Sequence, residues 1–523
     1  MSPFPVHSLW FSIALIPATA LPVLLIYTIF RPSTIRNIPG PPSQSWIFGN
    51  TLQLLLPTQY GDYEFRWLKS YGPVYRLKNC FGDRLMVADP AALNCIVNSP
   101  HFKPSPMQEN MFEILFGRES LSCVSVQEHK ALRAALNVGF SAVAVRSYQS
   151  IFEKAAARLT EELENSSSTS TIDICPLLGF AMLSTIGEAV LGQSPEELGE
   201  ELIRNNFEIV AVAASQSRQQ ILAEAIASHL PTWLFRAVAR LPTGTFKTVR
   251  DAKRLAYELG NRIVQEKLVA AKEGLDTDSD VFGVLLNLNA SSTTRTGLPG
   301  NVVAAQTAVF MIAGQETTAN TITLGLRALA RLPEFQAELR SEITAKAGNA
   351  PYDGMPLLNA FIKESLRMFP VVPIDDRCAR EDTVIPLSEK ITLSTGEEIS
   401  QIHVEKGQVV SVAIAAFQRL ESRWGEDAHE FNPNRWLQGS SAYKGAEGLG
   451  PYANLMSFLG GPHVCLGWRF AVLEMQVFIC ELVRQFSFAL PEDDNVRVRL
   501  ATTLHTVMAS GQTGSPMIVS RVS

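Results

Sequence analysis

From residue 51 to residue 523 the chain offers no stretch rich enough in Pro, Gly or Ser to mark a domain boundary, and no internal repeat. Nor is there a second long apolar run after residue 50, so this whole length is expected to close as one domain. Within it, apolar residues recur at i, i+3 and i+4, which predicts helices over 146–165, 251–272, 299–345 with a break at Pro333, 356–369 and 466–486. Strand-like stretches are few and short, at 73–78, 84–88, 399–404 and 408–414. The expected class is mainly α with small β-sheets. A hydrophobic content of 46% supplies a large core and excludes a mainly disordered chain.

A formal net charge of −6 argues against nucleic acid as a partner, because that binding needs clustered Lys and Arg to displace counterions. Seven cysteines, without CxxC pairs, fit a reducing compartment rather than a disulfide framework or a zinc ribbon. The N-terminus adds one further feature. Leu9 to Phe30 carries no charge, about the length a helix needs to cross a bilayer, and no Lys or Arg precedes it as in a cleaved signal. Arg31 and Arg36 follow it, which leaves the bulk of the chain on the cytoplasmic side. Pro17 and Pro22 would kink this span. The reading is therefore a membrane anchor and its flank over 1–36, a proline-rich hinge over 37–50 (Asn37-Ile38-Pro39-Gly40-Pro41-Pro42), and a catalytic body over 51–523. The sequons at Asn165 and Asn289 are read as chance.

The segment Phe458-Leu459-Gly460-Gly461-Pro462-His463-Val464-Cys465-Leu466-Gly467 gathers glycines and a proline around one cysteine, just before an apolar helix. A thiol at a helix N-terminus meets backbone N–H groups that favour its thiolate, and glycines let a flat ligand approach the backbone. Taken alone this is also what a buried free cysteine beside a turn looks like. The pattern F-x-x-G-x-x-x-C-x-G, at Phe458, Gly461, Cys465 and Gly467, resembles the haem-binding signature of the cytochrome P450 family of haem-thiolate monooxygenases.

Other elements of that family follow in order. Glu364-Ser365-Leu366-Arg367 resembles its E-x-x-R, and Phe431-Asn432-Pro433-Asn434-Arg435-Trp436 its P-x-R-x-F/W. A carboxylate and a guanidinium at i, i+3 can pair, and Arg435 would join them in a structural lock. Ala313-Gly314-Gln315-Glu316-Thr317-Thr318 resembles the A/G-G-x-D/E-T-T/S of the oxygen-binding helix. There Gly314 would leave room for dioxygen, Thr317 would bond a preceding carbonyl and pass protons, and Glu316 would be the relay acid. For the haem carboxylates the resemblance implies Arg133, with His129 where a tryptophan is usual, Arg377, and His463 where an arginine is common. Two such histidines should make that shell sensitive to pH.

The resemblance implies the cytochrome P450 fold and haem b, iron protoporphyrin IX, with Cys465 as the axial ligand of the iron. It further implies electrons from NADPH through a separate NADPH-cytochrome P450 reductase, with cytochrome b5 as an auxiliary partner, since no flavin or nicotinamide domain is visible in the chain. By the same analogy 101–121, 205–240, the stretch before Gly314, Val371 to Asp375 and His505 to Met508 would line an apolar substrate site. The implied enzyme is a single-pass protein of the endoplasmic reticulum membrane with its catalytic domain in the cytosol. It would hydroxylate a lipophilic terpenoid or related natural product in fungal secondary metabolism. A haem-thiolate isomerase or synthase working without reductase, and a non-catalytic haem or membrane-scaffold protein, are the rival readings.

Overall fold

The computed structural model of the protein describes residues 33–522, except 166–168, 215, 242, 276–279, 287–297, 347–350 and 438–447. The apolar run Leu9–Phe30 and the sequon at Asn289 lie outside the described residues.

The helices that position the site are, in chain order, α1 (Pro90–Asn98), α2 (Pro106–Phe116), α3 (Val126–Gly139), α4 (Gln149–Asn165), α5 (Ile174–Ile186), α6 (Thr232–Val238), α7 (Gly244–Lys272), α8 (Thr307–Leu329), α9 (Pro333–Lys346), α10 (Pro356–Met368) and α11 (Trp468–Gln485). Their starts follow from local chemistry. Asp89 and Ser105 each accept a hydrogen bond from the first turn of α1 and α2, with a proline at the first helical position. Ser125 and Glu128 form a capping box on α3. Pro333 cannot continue α8 and instead opens α9, as the sequence predicts.

The main sheet runs in the order β1 (Val74–Asn79), β2 (Gly82–Val87), β5 (Val409–Ala413), β4 (Ile374–Ala379), β3 (Phe102–Pro104), where β2 and β5 are parallel and the other pairs antiparallel. The hairpin β6 (Arg497–Leu500) and β7 (Leu504–Val507) stands apart. A second hairpin pairs Thr383–Thr392 with Glu398–Val404, and a further sheet joins Thr169–Asp173, Pro516–Arg521 and Phe486–Ala489. All four expected strands are present within a residue or two.

The helical core packs α5 along α8, and α11 beside α4, where Phe152 and Phe470 meet edge to face at 4.7 Å. Two expectations need correcting. A second apolar run does exist: residues 174–191 are long and apolar enough to cross a bilayer, but 72% of them are buried, because α5 packs along α8 in the helical core. The 37–50 segment is not a free hinge. Ile35 and Ile38 are buried in the sheet-side core, Arg76 donates its N–H to Pro39 O (2.9 Å), and a Cβ on Gly40 would strike the Arg76 carbonyl. The prolines hold this strap extended against β1, so the body begins before residue 37.

Candidate functional site

Cys465 lies on a loop wedged between α1 and α11. Its N–H donates to Phe458 O (2.8 Å), and Val464 N–H to Gly461 O (3.1 Å), which folds the loop back before α11 begins. Gly461 has a φ of +66°, and a Cβ there would sit 2.5 Å from the Val97 carbonyl oxygen at the end of α1. A Cβ on Gly460 would meet the Leu449 carbonyl at 2.1 Å. These two glycines therefore serve the packing of the loop on its neighbours, not the approach of a flat ligand; Gly467 is the glycine of the loop that keeps open space, with the Phe140 ring 4.0 Å from its Cβ position. Phe140 also contacts Phe310 of α8 (ring centroids 5.6 Å), which ties the cysteine loop to that helix.

Cys465 is an exposed residue of this loop. Burial of its surroundings pushes the thiol up, while the Gly467 N–H and the Arg133 guanidinium act in the opposite direction. Those two groups are what would favour a thiolate once a cation is bound.

On α8, one stripe is less buried than the rest of the helix: Val309, Ile312, Ala313, Glu316, Thr317 and Asn320, at helical spacing. Ala313 is exposed in the middle of a core helix. Thr317 Oγ1 donates to the Ala313 carbonyl (2.7 Å), the bond expected from sequence. Gly314 does something else than expected. A Cβ at this position would lie 2.4 Å from Ile186 Cδ1, so the glycine lets α5 and α8 approach. Glu316 is likewise drawn away: its carboxylate accepts from the Thr503 hydroxyl and stands 3.1 Å from His505 Nε2. His505 in turn lies 2.9 Å from Thr503 Oγ1 and 3.5 Å from Asn320. The 371–375 and 504–508 segments meet here, since Leu504 N–H donates to Val371 O (2.8 Å).

Beside the cysteine loop five basic side chains from four elements converge. His129 and His463 rings are 4.8 Å apart, and Arg133, Arg377 and Lys103 lie close enough to influence His463. Burial first, then these cations, push His463 down to about 4, so both ring nitrogens are uncharged near neutrality. His129 is also lowered, by burial and by Arg133. Both rings of the expected pH-sensitive shell are thus shifted in the acid direction. Arg377 brings its own counter-charge, with Nε and Nη2 both 2.6 Å from Asp375 Oδ2. Arg133 and Lys103 are the cations left without a carboxylate among the described residues. The donor set fits a flat dianionic ligand whose metal takes a thiolate: one thiol flanked by an N–H donor, cations without counter-ions, two imidazoles, and an open stripe on α8. Cys465, His129, Arg133 and His463 would hold such a haem.

Behind the site, Glu364 accepts from Arg367, Arg435, Trp436 Nε1 and the Asn432 N–H, all within 3.0 Å and out of contact with water. Sequence reasoning missed Lys103, which needs the β3–β4 register to bring it near; His505 as a partner of Glu316; and Glu474. Burial raises Glu474 to about 8 between the Thr185 and Thr318 hydroxyls. A lone carboxylate within the apolar run of α11 was the available signal.

The family description "Cytochrome P450" matches residues 39–513. A cytochrome P450 monooxygenase of Postia placenta is 31% identical over 88% of this chain and 87% of its own length. A ganoderic acid synthetase of Ganoderma lucidum is 30% identical over 88% and 89%. A cytochrome P450 monooxygenase of Ampulloclitocybe clavipes is 28% identical over 95% of both chains.

Proposed function

This chain belongs to the cytochrome P450 family, and from that premise we propose that it inserts one oxygen atom of dioxygen into a lipophilic small molecule of fungal secondary metabolism. We further propose a terpenoid or related natural product as substrate, electrons delivered from NADPH by a separate reductase, and tethering to the endoplasmic reticulum membrane through Leu9–Phe30. A relative named ganoderic acid synthetase supports a natural-product substrate. The observation that carries the reading is the open Ala313–Thr317 stripe on α8, the helix that Phe140 links through Phe310 to the loop that presents Cys465.

Haem, when bound, supplies the activation of dioxygen. The residues of the chain do the rest. Cys465 would hold the iron as thiolate, with the Gly467 N–H and Arg133 countering its charge. Thr317 presents its hydroxyl toward the open stripe while its proton rests on the Ala313 carbonyl, so the same hydroxyl can accept and return protons. Glu316, tethered through Thr503 and His505, is the acid nearest in sequence that can restore that proton. His129, His463 and Arg133 would orient the ligand's carboxylates, and the buried Glu364 lock keeps the loop in place. The test is coexpression with a fungal reductase, feeding of a terpenoid panel, and mass analysis under ¹⁸O₂. One labelled oxygen per product, dependent on NADPH and reductase, is expected. A rearranged product formed without reductase would establish the isomerase alternative instead.

A further inference from the structure

In a chain with more acidic than basic residues, 51 against 45, one cleft reverses the balance. It lies between α2, α6 and α7, has a volume of about 410 Å³, and is lined by Arg118, Arg236, Arg240, Arg250, Lys253 and Arg254 with Glu113 as its carboxylate. Glu113 is already engaged: Oε1 accepts from Arg118 Nε (2.8 Å) and Oε2 from Arg236 Nη2 (2.6 Å). Those bonds hold its carboxyl below the usual range against the opposing effect of burial. Arg254 pairs with Glu258 (3.1 Å). Among the described residues no carboxylate pairs with Arg240, Arg250 or Lys253; Arg250 donates to the carbonyls of Ala239 and Leu241, and Lys253 reaches the Glu113 carbonyl at 3.4 Å. Arg236 Nε is buried without a partner.

Three cations without carboxylate partners give the cleft a positive potential, and a buried N–H left unpaired is costly, so the arrangement favours an anion. We propose that this cleft binds a phosphate-type anion. A tetrahedral group with two charges offers oxygens to several donors at once, which guanidinium forks match and a single carboxylate does not. Trp233 and Leu241 are exposed on and beside α6, so the phosphate could come as a free ion or as the headgroup of a phospholipid. The site stands apart from the proposed oxidation chemistry and its test does not depend on it.

The experiment titrates the full-length protein in neutral detergent by calorimetry with inorganic phosphate, with a short-chain phosphatidic acid, and with the matching phosphatidylcholine. The same titrations follow on the Arg240→Gln/Lys253→Gln variant, after its visible spectrum and unliganded melting temperature are matched to the parent. Saturable binding of phosphate, of phosphatidic acid or of both, weakened about tenfold or more in the variant, is expected. Phosphatidic acid binding without phosphate binding assigns the lipid source, and binding of both assigns the anion alone. Absence of both, binding unchanged in the variant, or equal binding of phosphatidylcholine overturns the proposal. If the double variant fails to match the parent fold, Arg240→Gln alone carries the same comparison.

Discussion

Replacing Glu364 by glutamine tests the buried lock at its centre. Oε2 accepts from Arg367 Nε (2.8 Å) and Trp436 Nε1 (2.9 Å); Oε1 accepts from Arg367 Nη2 (2.8 Å), Arg435 Nε (3.0 Å) and the Asn432 N–H (2.8 Å). An amide NH₂ in place of either oxygen would point a donor at two or three donors. The substitution also leaves the guanidinium of Arg367, fully enclosed, without its counter-charge. Arg367 keeps its bonds to the carbonyls of Gln418, Ala428 and Glu430, so its N–H groups stay largely paired while its charge does not. Breaking a buried pair from one side costs about 3–5 kcal/mol, against a total stability of about 5–15 kcal/mol. Urea unfolding of parent and Glu364→Gln protein, followed by tryptophan fluorescence and by haem absorbance, should show that loss. Lys390→Gln, which breaks the exposed pair with Glu398, should stay within about 0.5 kcal/mol. A loss below about 1 kcal/mol for Glu364→Gln would refute the claim that this carboxylate ties α10 to the 418–436 segment.

Three further perturbations follow from the geometry. Thr317→Ala removes the hydroxyl that rests on Ala313 and should lower product formed per NADPH by about tenfold or more while haem content holds; parental coupling, read as product against hydrogen peroxide, would refute the proton role. Folded protein keeps the Glu474 proton up to about pH 8 whereas the unfolded chain releases it near 4.5, so stability falls with rising pH in that window, by up to about 1.4 kcal/mol per unit. Glu474→Gln should flatten this slope, and melting temperatures at pH 5.5 and 8 that change in parallel with the parent would contradict it. Gly461→Ala must put a Cβ on a residue at φ +66° and against the Val97 carbonyl; a destabilisation of about 1–3 kcal/mol and lost haem are expected, and a parental melting curve would show that the loop has room.

Much of the frame was legible because it rests on short-range rules. Helical spacing located α4, α7, α10 and α11, Pro333 marked the break between α8 and α9, and the i, i+3 relation of Glu364 and Arg367 allowed the pair that the structure contains. What escaped depends on which surfaces meet. Gly314 looked like space for a ligand, yet its neighbour is Ile186, more than a hundred residues earlier in the chain. Glu316 looked free to relay protons, yet the hairpin β6–β7 brings Thr503 and His505 onto it. Arg377 looked like an available cation, yet Asp375, two residues before it on β4, occupies its guanidinium, an in-strand pair that alternation places on one face. The proline-rich strap looked like a hinge because the contacts that fasten it, to Arg76 and Lys78 of β1 and to Ser394, come from residues far along the chain.

The central claim is that Cys465 binds haem iron as a thiolate. The most direct measurement is the visible spectrum of the purified full-length protein, reduced with dithionite under carbon monoxide. A strongly red-shifted Soret band, lost in Cys465→Ala, is the predicted result. A band at the position of histidine-ligated or detached haem in the folded parent protein would contradict the assignment of Cys465 and the mechanism built on it.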